Sequence, residues 1–378
     1  MALTSSALVH RILASIGRPA EAELYLSLFR AERPESFALI AVDADVAGIA
    51  EDALAVDLEF LAELGLTPVV AFEDAGQAAH LAAWLGDAFP GGVVAADGAA
   101  AAARAGRIAL CVHAPPASQS SPLAGVTDPT WSASGLGVLA TALCSRKVVL
   151  LGASSGITPA GAPEPLSMVD LTVELDDLLA GDVLPAGQRD LLRDARALID
   201  AASHPMTVAV TSPLDLLREL FTVRGAGTLI RRGVQVTAHD SLDAVDRARL
   251  HGLIEASFGR TLSADFWSRP LLRIFIAGDY RGAAVVSPSP HGAYLSKLAV
   301  GAPARGEGIG RDLWRALVRD YPRLTWRSRA RNPIAPWYQE QCDGMVKLGD
   351  WNVYWRGLDS ALISAAIADA AAAPIDLV

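Results

Sequence analysis

The run Arg305-Gly306-Glu307-Gly308-Ile309-Gly310 sets glycines at alternate positions where a strand-like stretch, Tyr294 to Val300, gives way to a helix-like one opening at Gly310. Successive backbone N–H groups in such a loop, at the positive end of a helix, form a cradle for a pyrophosphate. Glycines let phosphate oxygens reach the backbone with no Cβ in the way. The order is Arg-x-x-Gly-x-Gly, and it follows an antiparallel meander instead of opening a βαβ unit, so a dinucleotide site is not expected. Arg305 heads the loop, where its guanidinium can add a charge-assisted contact to phosphate. The plain alternative is a solvated turn. A second chemical signal is Arg327 with Arg329, two residues apart on a strand-like run and hence on one face. Paired guanidinium groups facing one cleft suit a carboxylate. Cys342 has no histidine beside it in sequence and reads as a small apolar filler, not a nucleophile.

These residues need a scaffold, and the pattern supplies one. Leu272 to Ala277, Gly282 to Ser287 and Ala293 to Val300 read as meandering strands after a helix over Leu242 to Phe258. A helix over Gly310 to Asp320, a strand over Leu324 to Arg327, a short helix at Trp337 to Gln341 and a strand over Trp351 to Arg356 follow. Earlier in the chain, a helix over Ala22 to Arg30 precedes the strand Phe37 to Val42, the helix Asp52 to Leu64 and the strand Thr67 to Phe72. Strand, helix and strand with short connections predict a parallel sheet covered by helices. Arg107 to His113, Lys147 to Leu151 and Met206 to Val210 add strands; Gln188 to Ala202 and Pro213 to Phe221 add helices; Gly225 to Gly233 is a turn and a closing strand. Ala95 to Ala105 has no usable periodicity. Leu8, Ile12, Leu13 and Ile16 recur at helical spacing, so the first twenty residues read as an amphipathic helix, although Arg11 and Arg18 without any acid weakly resemble a transit segment.

The 378 residues suffice for two domains, with 52% apolar and 20% charged residues. A net charge of -10 argues against nucleic acid or an anionic membrane as partner. Cys111, Cys144 and Cys342 are widely spaced, which fits free thiols in a reduced, cytoplasmic setting. The most apolar stretch, Ser134 to Cys144, is too short to span a bilayer. No metal-ligand set is seen.

The strand, phosphate loop and helix together resemble the GNAT acetyltransferases. That resemblance implies acetyl-coenzyme A as co-substrate, held by Arg305 to Gly310. It further implies a pantetheine arm paired along Leu298, Ala299 and Val300, beside a splay between neighbouring strands. Tyr294-Leu-Ser-Lys297-Leu-Ala-Val300 and Trp326-Arg-Ser-Arg-Ala-Arg-Asn332-Pro-Ile-Ala-Pro-Trp-Tyr338 narrow it further. They resemble the acetyltransferase domain of N-acetylglutamate synthases fused to an amino-acid-kinase domain, over about residues 240–358. Lys297, Arg327, Arg329 and Asn332 match that family's glutamate contacts, while Arg331 reads as surface. Tyr338 is the candidate general acid, protonating the departing thiolate. The alternatives are a solvated Lys297 and a Tyr338 that merely packs beside Trp337. No base stands out, since Ser296 occupies the position where the family often has an aspartate.

The first part resembles N-acetylglutamate kinase through Phe37 to Val42, Leu61 to Val70 and Leu217 to Leu229. The departures lie where phosphoryl transfer needs positive charge and open N–H groups. Ala41-Val42-Asp43-Ala44 replaces Lys-x-Gly-Gly, and Phe72-Glu-Asp-Ala-Gly-Gln77 replaces the glycine-rich second loop. Leu191 aligns with a second lysine. A pseudokinase is expected. In arginine-sensitive relatives the positions matching Tyr25, Glu219, Gly225 and Gly227 bind the end-product, so this domain is either an arginine sensor or a scaffold for an oligomer, a tetramer by the resemblance.

The expectation is thus an α/β protein with an amino-acid-kinase-like three-layer open sheet over 1–235, a GNAT-fold domain over 236–358 and a peripheral tail over 359–378. The implied activity is acetyl transfer from acetyl-coenzyme A to L-glutamate, the first step of arginine biosynthesis. Acetylation of another amino acid and a non-catalytic arginine-sensing protein are the competing readings.

Overall fold

A computed structural model describes residues 19–31, 33–113, 133–222 and 225–377. The amphipathic pattern at Leu8 to Ile16 lies outside the described residues. The chain divides into two compact units, at Arg232 and Gly233.

The first unit contains α1 (Pro19–Ala31), β1 (Leu39–Val42), α2 (Glu51–Glu63), β2 (Val69–Phe72), α3 (Ala75–Leu85), β3 (Gly91–Val93), α4 (Ala99–Arg104) and β4 (Ile108–Val112). It continues with α5 (Ala133–Leu143), β5 (Lys147–Leu151), β6 (Met168–Asp170), α6 (Ala186–Ala201), β7 (Thr207–Thr211), α7 (Leu216–Phe221) and β8 (Thr228–Arg231). The sheet order is β3-β4-β2-β1-β5-β7-β8-β6. All neighbours are parallel except β7 and β8.

Both faces of this sheet are buried, which explains its nearly continuous apolar strands. Ile40, Val42, Val70 and Phe72 pack with α2, α3 and α7 in one core. Leu39, Ala41, Val69 and Ala71 pack with α4, α5 and α6 in another. The alternation of strand side chains thus yields three layers. The alanine run without periodicity resolves into α4, whose Ala99 and Ala103 lie fully buried against the sheet.

The second unit holds β9 (Val236–His239), α8 (Arg247–Phe258), β10 (Arg273–Ala277), β11 (Gly282–Ser289), β12 (Gly292–Val300), α9 (Ile309–Asp320) and β13 (Leu324–Arg329). After them come α10 (Ala335–Gln341), β14 (Gly344–Leu348), β15 (Trp351–Arg356) and α11 (Ile363–Ala372). The sheet order is β14-β15-β13-β12-β11-β10-β9. Only β12 and β13 run parallel.

The segment from Asp359, expected to be peripheral, is a packed part of this unit. Helix α11 lies on β13 and β15 and buries Ala366 and Ala370. Its alanine-rich face permits a close approach that a sequence count of alanine does not reveal. Strands β9 and β14, absent from the sequence reading, are short edge strands. They complete the sheet at its two ends, and Gly344 is required where β14 lies on the Trp355 ring.

Candidate functional site

β12 and β13 pair only from Ala293 with Leu324 to Leu295 with Trp326. Beyond Leu295 the two strands part, leaving a gap in the middle of the sheet. A bulge at the same place makes Val285 and Val286 on β11 pair with Lys297 and Leu295, so Ser296 is the extra residue. The bulge exchanges the faces. Leu295 and Leu298, three apart, both join the core built on Ile309, Leu313 and Leu317 of α9. Ala299 joins the opposite core, with Leu250 and Ile254 of α8. Lys297 consequently lies on the α8 face, its ammonium 4.8 Å from the centre of the Phe266 ring.

On the other side of the gap, the phosphate-type loop opens α9. Gly306 and Gly308 have φ of +81° and +77°, a region that favours glycine, and Gly308 caps the helix with no side-chain hydrogen bond. The N–H groups of Gly306, Gly308, Ile309 and Gly310 make no hydrogen bond to another described residue. Four uncommitted donors at a helix start form an anion cradle, and they fit a pyrophosphate. Glu307 is turned into an ion pair with Arg281, so its charge does not stand alone beside that cradle. Arg305 is deployed differently from the expectation. Its guanidinium donates to the Ser257 carbonyl at 2.7 Å and to that of Val300 at 3.4 Å, tying the loop to the end of α8. Ser257 Oγ also accepts from the Val300 N–H and donates to its carbonyl.

Tyr338 on α10 is buried among Trp326, Trp337 and Tyr354, with ring centres 5.4–5.9 Å away. Burial, followed by the neighbouring Tyr354 and Tyr294, pushes its phenol well above the ordinary tyrosine range. It therefore stays protonated, as a proton donor must. Its hydroxyl has no hydrogen bond to another described residue. The sequence reading missed a second donor here: the indole N–H of Trp326, fully buried and without a partner among the described residues. Trp326 is the last β13 residue paired with β12 before the strands part. Cys342 donates weakly to the Gln339 carbonyl and packs against this core.

Arg327 and Arg329 share a face as the alternation predicts, each 4.1 Å from the Trp351 ring centre. Arg327 spends its donors on the carbonyls of Ala370, Ala371 and Pro374, at the end of α11. Arg329 and Arg331 are exposed. Lys297 is only 6% exposed and donates to Asp376 Oδ2 at 2.5 Å. Burial lowers its pKa and Asp376 opposes that shift. Asn332 is occupied locally, its Oδ1 accepting from the Ile334 N–H in the turn before α10. The structure thus brings Lys297 and Arg327 to the face covered by residues 370–376, leaves Arg329 exposed at the Trp351 ring, and leaves Asn332 at the mouth of α10.

In the first unit, acids take up backbone N–H groups just after β1 and β2. Asp43 accepts from the Asp45 N–H at 2.8 Å. Asp74 accepts from Gly76 and Gln77 at the start of α3. Burial foremost, and then the nearby Asp43 and Asp45, raises the Glu73 pKa. A 310 Å³ cavity beside this corner is lined by Phe72, Asp74, Gln77 and the ion-paired His80 and Glu51. Leu191 packs against the core. The Glu219 carboxylate is buried and already satisfied, by Lys147 Nζ at 2.9 Å and by the Ala226 and Gly227 N–H groups. Gly225 and Gly227 are needed because a Cβ would strike Glu219 at the first and the Val210 carbonyl at the second. Tyr25 on α1 is buried, packed against Phe29.

Residues 237–373 match the family described as the N-acetyltransferase of N-acetylglutamate synthase. An acetylglutamate kinase of Xanthomonas campestris pv. campestris is 37% identical over 220 residues, 57% of this chain and 51% of that protein. The mitochondrial N-acetylglutamate synthase of Homo sapiens is 34% identical over 226 residues, 58% of this chain and 42% of that one. The chain spans about half the length of the curated relatives it matches. A solved N-acetylglutamate synthase from Neisseria gonorrhoeae, complexed with coenzyme A and N-acetyl-glutamate, covers 90% of this chain and 99% of its own. That likeness has 18% identity and a TM-score of 0.49. The architecture is an amino-acid-kinase-like sheet domain followed by a GNAT-type acetyltransferase domain.

Proposed function

We propose that this relative of the N-acetylglutamate synthases transfers an acetyl group from acetyl-coenzyme A to the amine of L-glutamate, without phosphoryl transfer by its first unit. The observation that carries the reading is the fork between β12 and β13. One face of the fork presents four uncommitted N–H groups at the start of α9 and a protonated phenol. The other presents Lys297, Arg327 and Arg329. A thioester donor and a diacid acceptor can approach from opposite faces and meet where the strands part. Acetyl-coenzyme A supplies the activated acyl group. The loop residues Gly306 to Gly310 bind its pyrophosphate, the Leu298–Val300 edge lies along the pantetheine, and the cations hold the acceptor with its amine toward the gap. The ammonium first gives one proton to water; the free amine then attacks the thioester carbonyl to form the C–N bond, Tyr338 delivers its proton to the sulfur as the C–S bond breaks, and the second proton lost from the nitrogen restores the phenol.

Asp43 and Asp74 support the absence of kinase activity: each carboxylate occupies N–H groups that a phosphate would need. An arginine effector is part of the same proposal. It would place its cation at Glu219 and displace Lys147 from that carboxylate. A cytoplasmic, homo-oligomeric enzyme completes the reading. No helix of the described residues is long and apolar enough to cross a membrane.

Thiol release from acetyl-coenzyme A against a panel of amino acids tests the activity. Glutamate is expected to give the highest kcat/KM, and Arg327→Ala to raise its KM more than that of the donor. Equal or faster turnover of aspartate or a neutral amino acid refutes the substrate assignment.

A further inference from the structure

Lys297 poses a problem of charge. A nearly buried ammonium without a counter-ion is costly, so it must have a carboxylate beside it before the acceptor arrives. The structure supplies one from residues 374–377. Asp376 Oδ2 takes a hydrogen bond from Lys297 at 2.5 Å, and Oδ1 pairs with Arg269. Ser296 Oγ lies 3.4 Å from Oδ2. An ammonium, a guanidinium and a hydroxyl around one carboxylate are the groups that recognise an amino-acid acceptor's acid.

The segment carrying Asp376 is lightly held. Pro374 follows the end of α11, Ile375 is 57% exposed, and the backbone is held by Arg327 at the Pro374 carbonyl, 2.7 Å, and by the Ser263 N–H at the Asp376 carbonyl, 2.8 Å, beside a bridge of Leu262 to Leu377. Leu377 packs on the core beside Leu262, but the pairing is short and Ile375 is exposed, which places such a segment toward the low-stability end of a fold. Asp376 also lies beyond the 237–373 match to the acetyltransferase family.

We propose that Asp376 is a built-in occupant of the acceptor-carboxylate site, which glutamate must displace from Lys297 and Arg269 to bind. The inference rests on the assignment of Lys297 to the acceptor site made above. Tethering gives the occupant a high effective concentration, so it sets the apparent affinity for acceptor without touching the acyl-transfer step. It also keeps the buried cation neutralised between turnovers.

Amide exchange on the full chain tests displacement directly, with glutarate, a diacid that cannot be acetylated, as probe. Saturating glutarate is expected to release the Ser263 amide and speed its exchange several-fold; unchanged or stronger protection overturns the proposal. Asp376→Asn keeps the shape but has a single accepting oxygen, so it serves Lys297 or Arg269 and not both; its melting temperature checks that the fold survives. In that variant the KM for glutamate should fall by about 3- to 30-fold at near-constant kcat, the apparent constant being the intrinsic one divided by the unoccupied fraction. A raised KM or a lowered kcat would make Asp376 a positioning residue and sink the proposal. If the wild-type chain acetylates no glutamate, the functional reading fails, and the exchange response to glutarate still decides whether the strap is displaced.

Discussion

Replacing Tyr338 with phenylalanine separates catalysis from packing more cleanly than any other single change. The ring contacts to Trp326, Trp337 and Tyr354 at 5.4–5.9 Å survive in Tyr338→Phe. The hydroxyl has no hydrogen bond to another described residue, so its removal strands no buried partner, the usual source of a cost of about 1–3 kcal/mol. Stability should stay within about 0.5 kcal/mol of wild type. The chemical step is different. Loss of a positioned acid lowers rates by roughly 10²–10⁴, which is about 2.7–5.4 kcal/mol at 1.36 kcal/mol per decade. Since the proton moves only as the C–S bond breaks, kcat and kcat/KM should fall together, with donor affinity unchanged. Stopped-flow thiol detection gives kcat, calorimetry gives donor affinity, and thermal unfolding gives stability. A stable variant with wild-type kcat would remove Tyr338 from the mechanism.

Two further outcomes are expected. Burial raises the Asp57 pKa from 3.8 to about 7, so the native state holds that proton more tightly than the unfolded chain. The resulting penalty is absent below the unfolded pKa, grows through the window up to about 7, and is complete above it. Asp57→Asn should therefore stabilise at pH 8 by about 1–2 kcal/mol, a shift of three units discounted for partial solvent access, and give no gain near pH 4. A Tm gain that is independent of pH would refute this account. In the first unit, the negative corner at Asp43, Glu73 and Asp74 should bind no Mg-ATP by calorimetry. Measurable phosphorylation of N-acetylglutamate would overturn the pseudokinase reading.

The chain's own pattern carried much of this. Arg305 to Gly310 between a strand and a helix announced the cradle, because positive-φ positions and bare N–H groups demand glycine. The i, i+2 spacing of Arg327 and Arg329 put both on one face, since β13 pairs with β15 there without a bulge. Alternating apolar strand residues called for a sheet covered on both sides. Other features are long-range and leave no local trace. Lys297 is two residues from Leu295 and should share its face; the bulge at Ser296 exchanges that face, and the bulge exists only through pairing with β11. The acids at Asp43 and Asp74 read as lost kinase chemistry, but their capture of nearby N–H groups depends on the backbone turns. Asp376 lies 79 residues from Lys297, and nothing in an alanine-rich tail foretells that its carboxylate reaches the sheet. Sequence determines local geometry through dihedral preference and periodicity; which distant charge neutralises a buried one is settled only when packing brings them together.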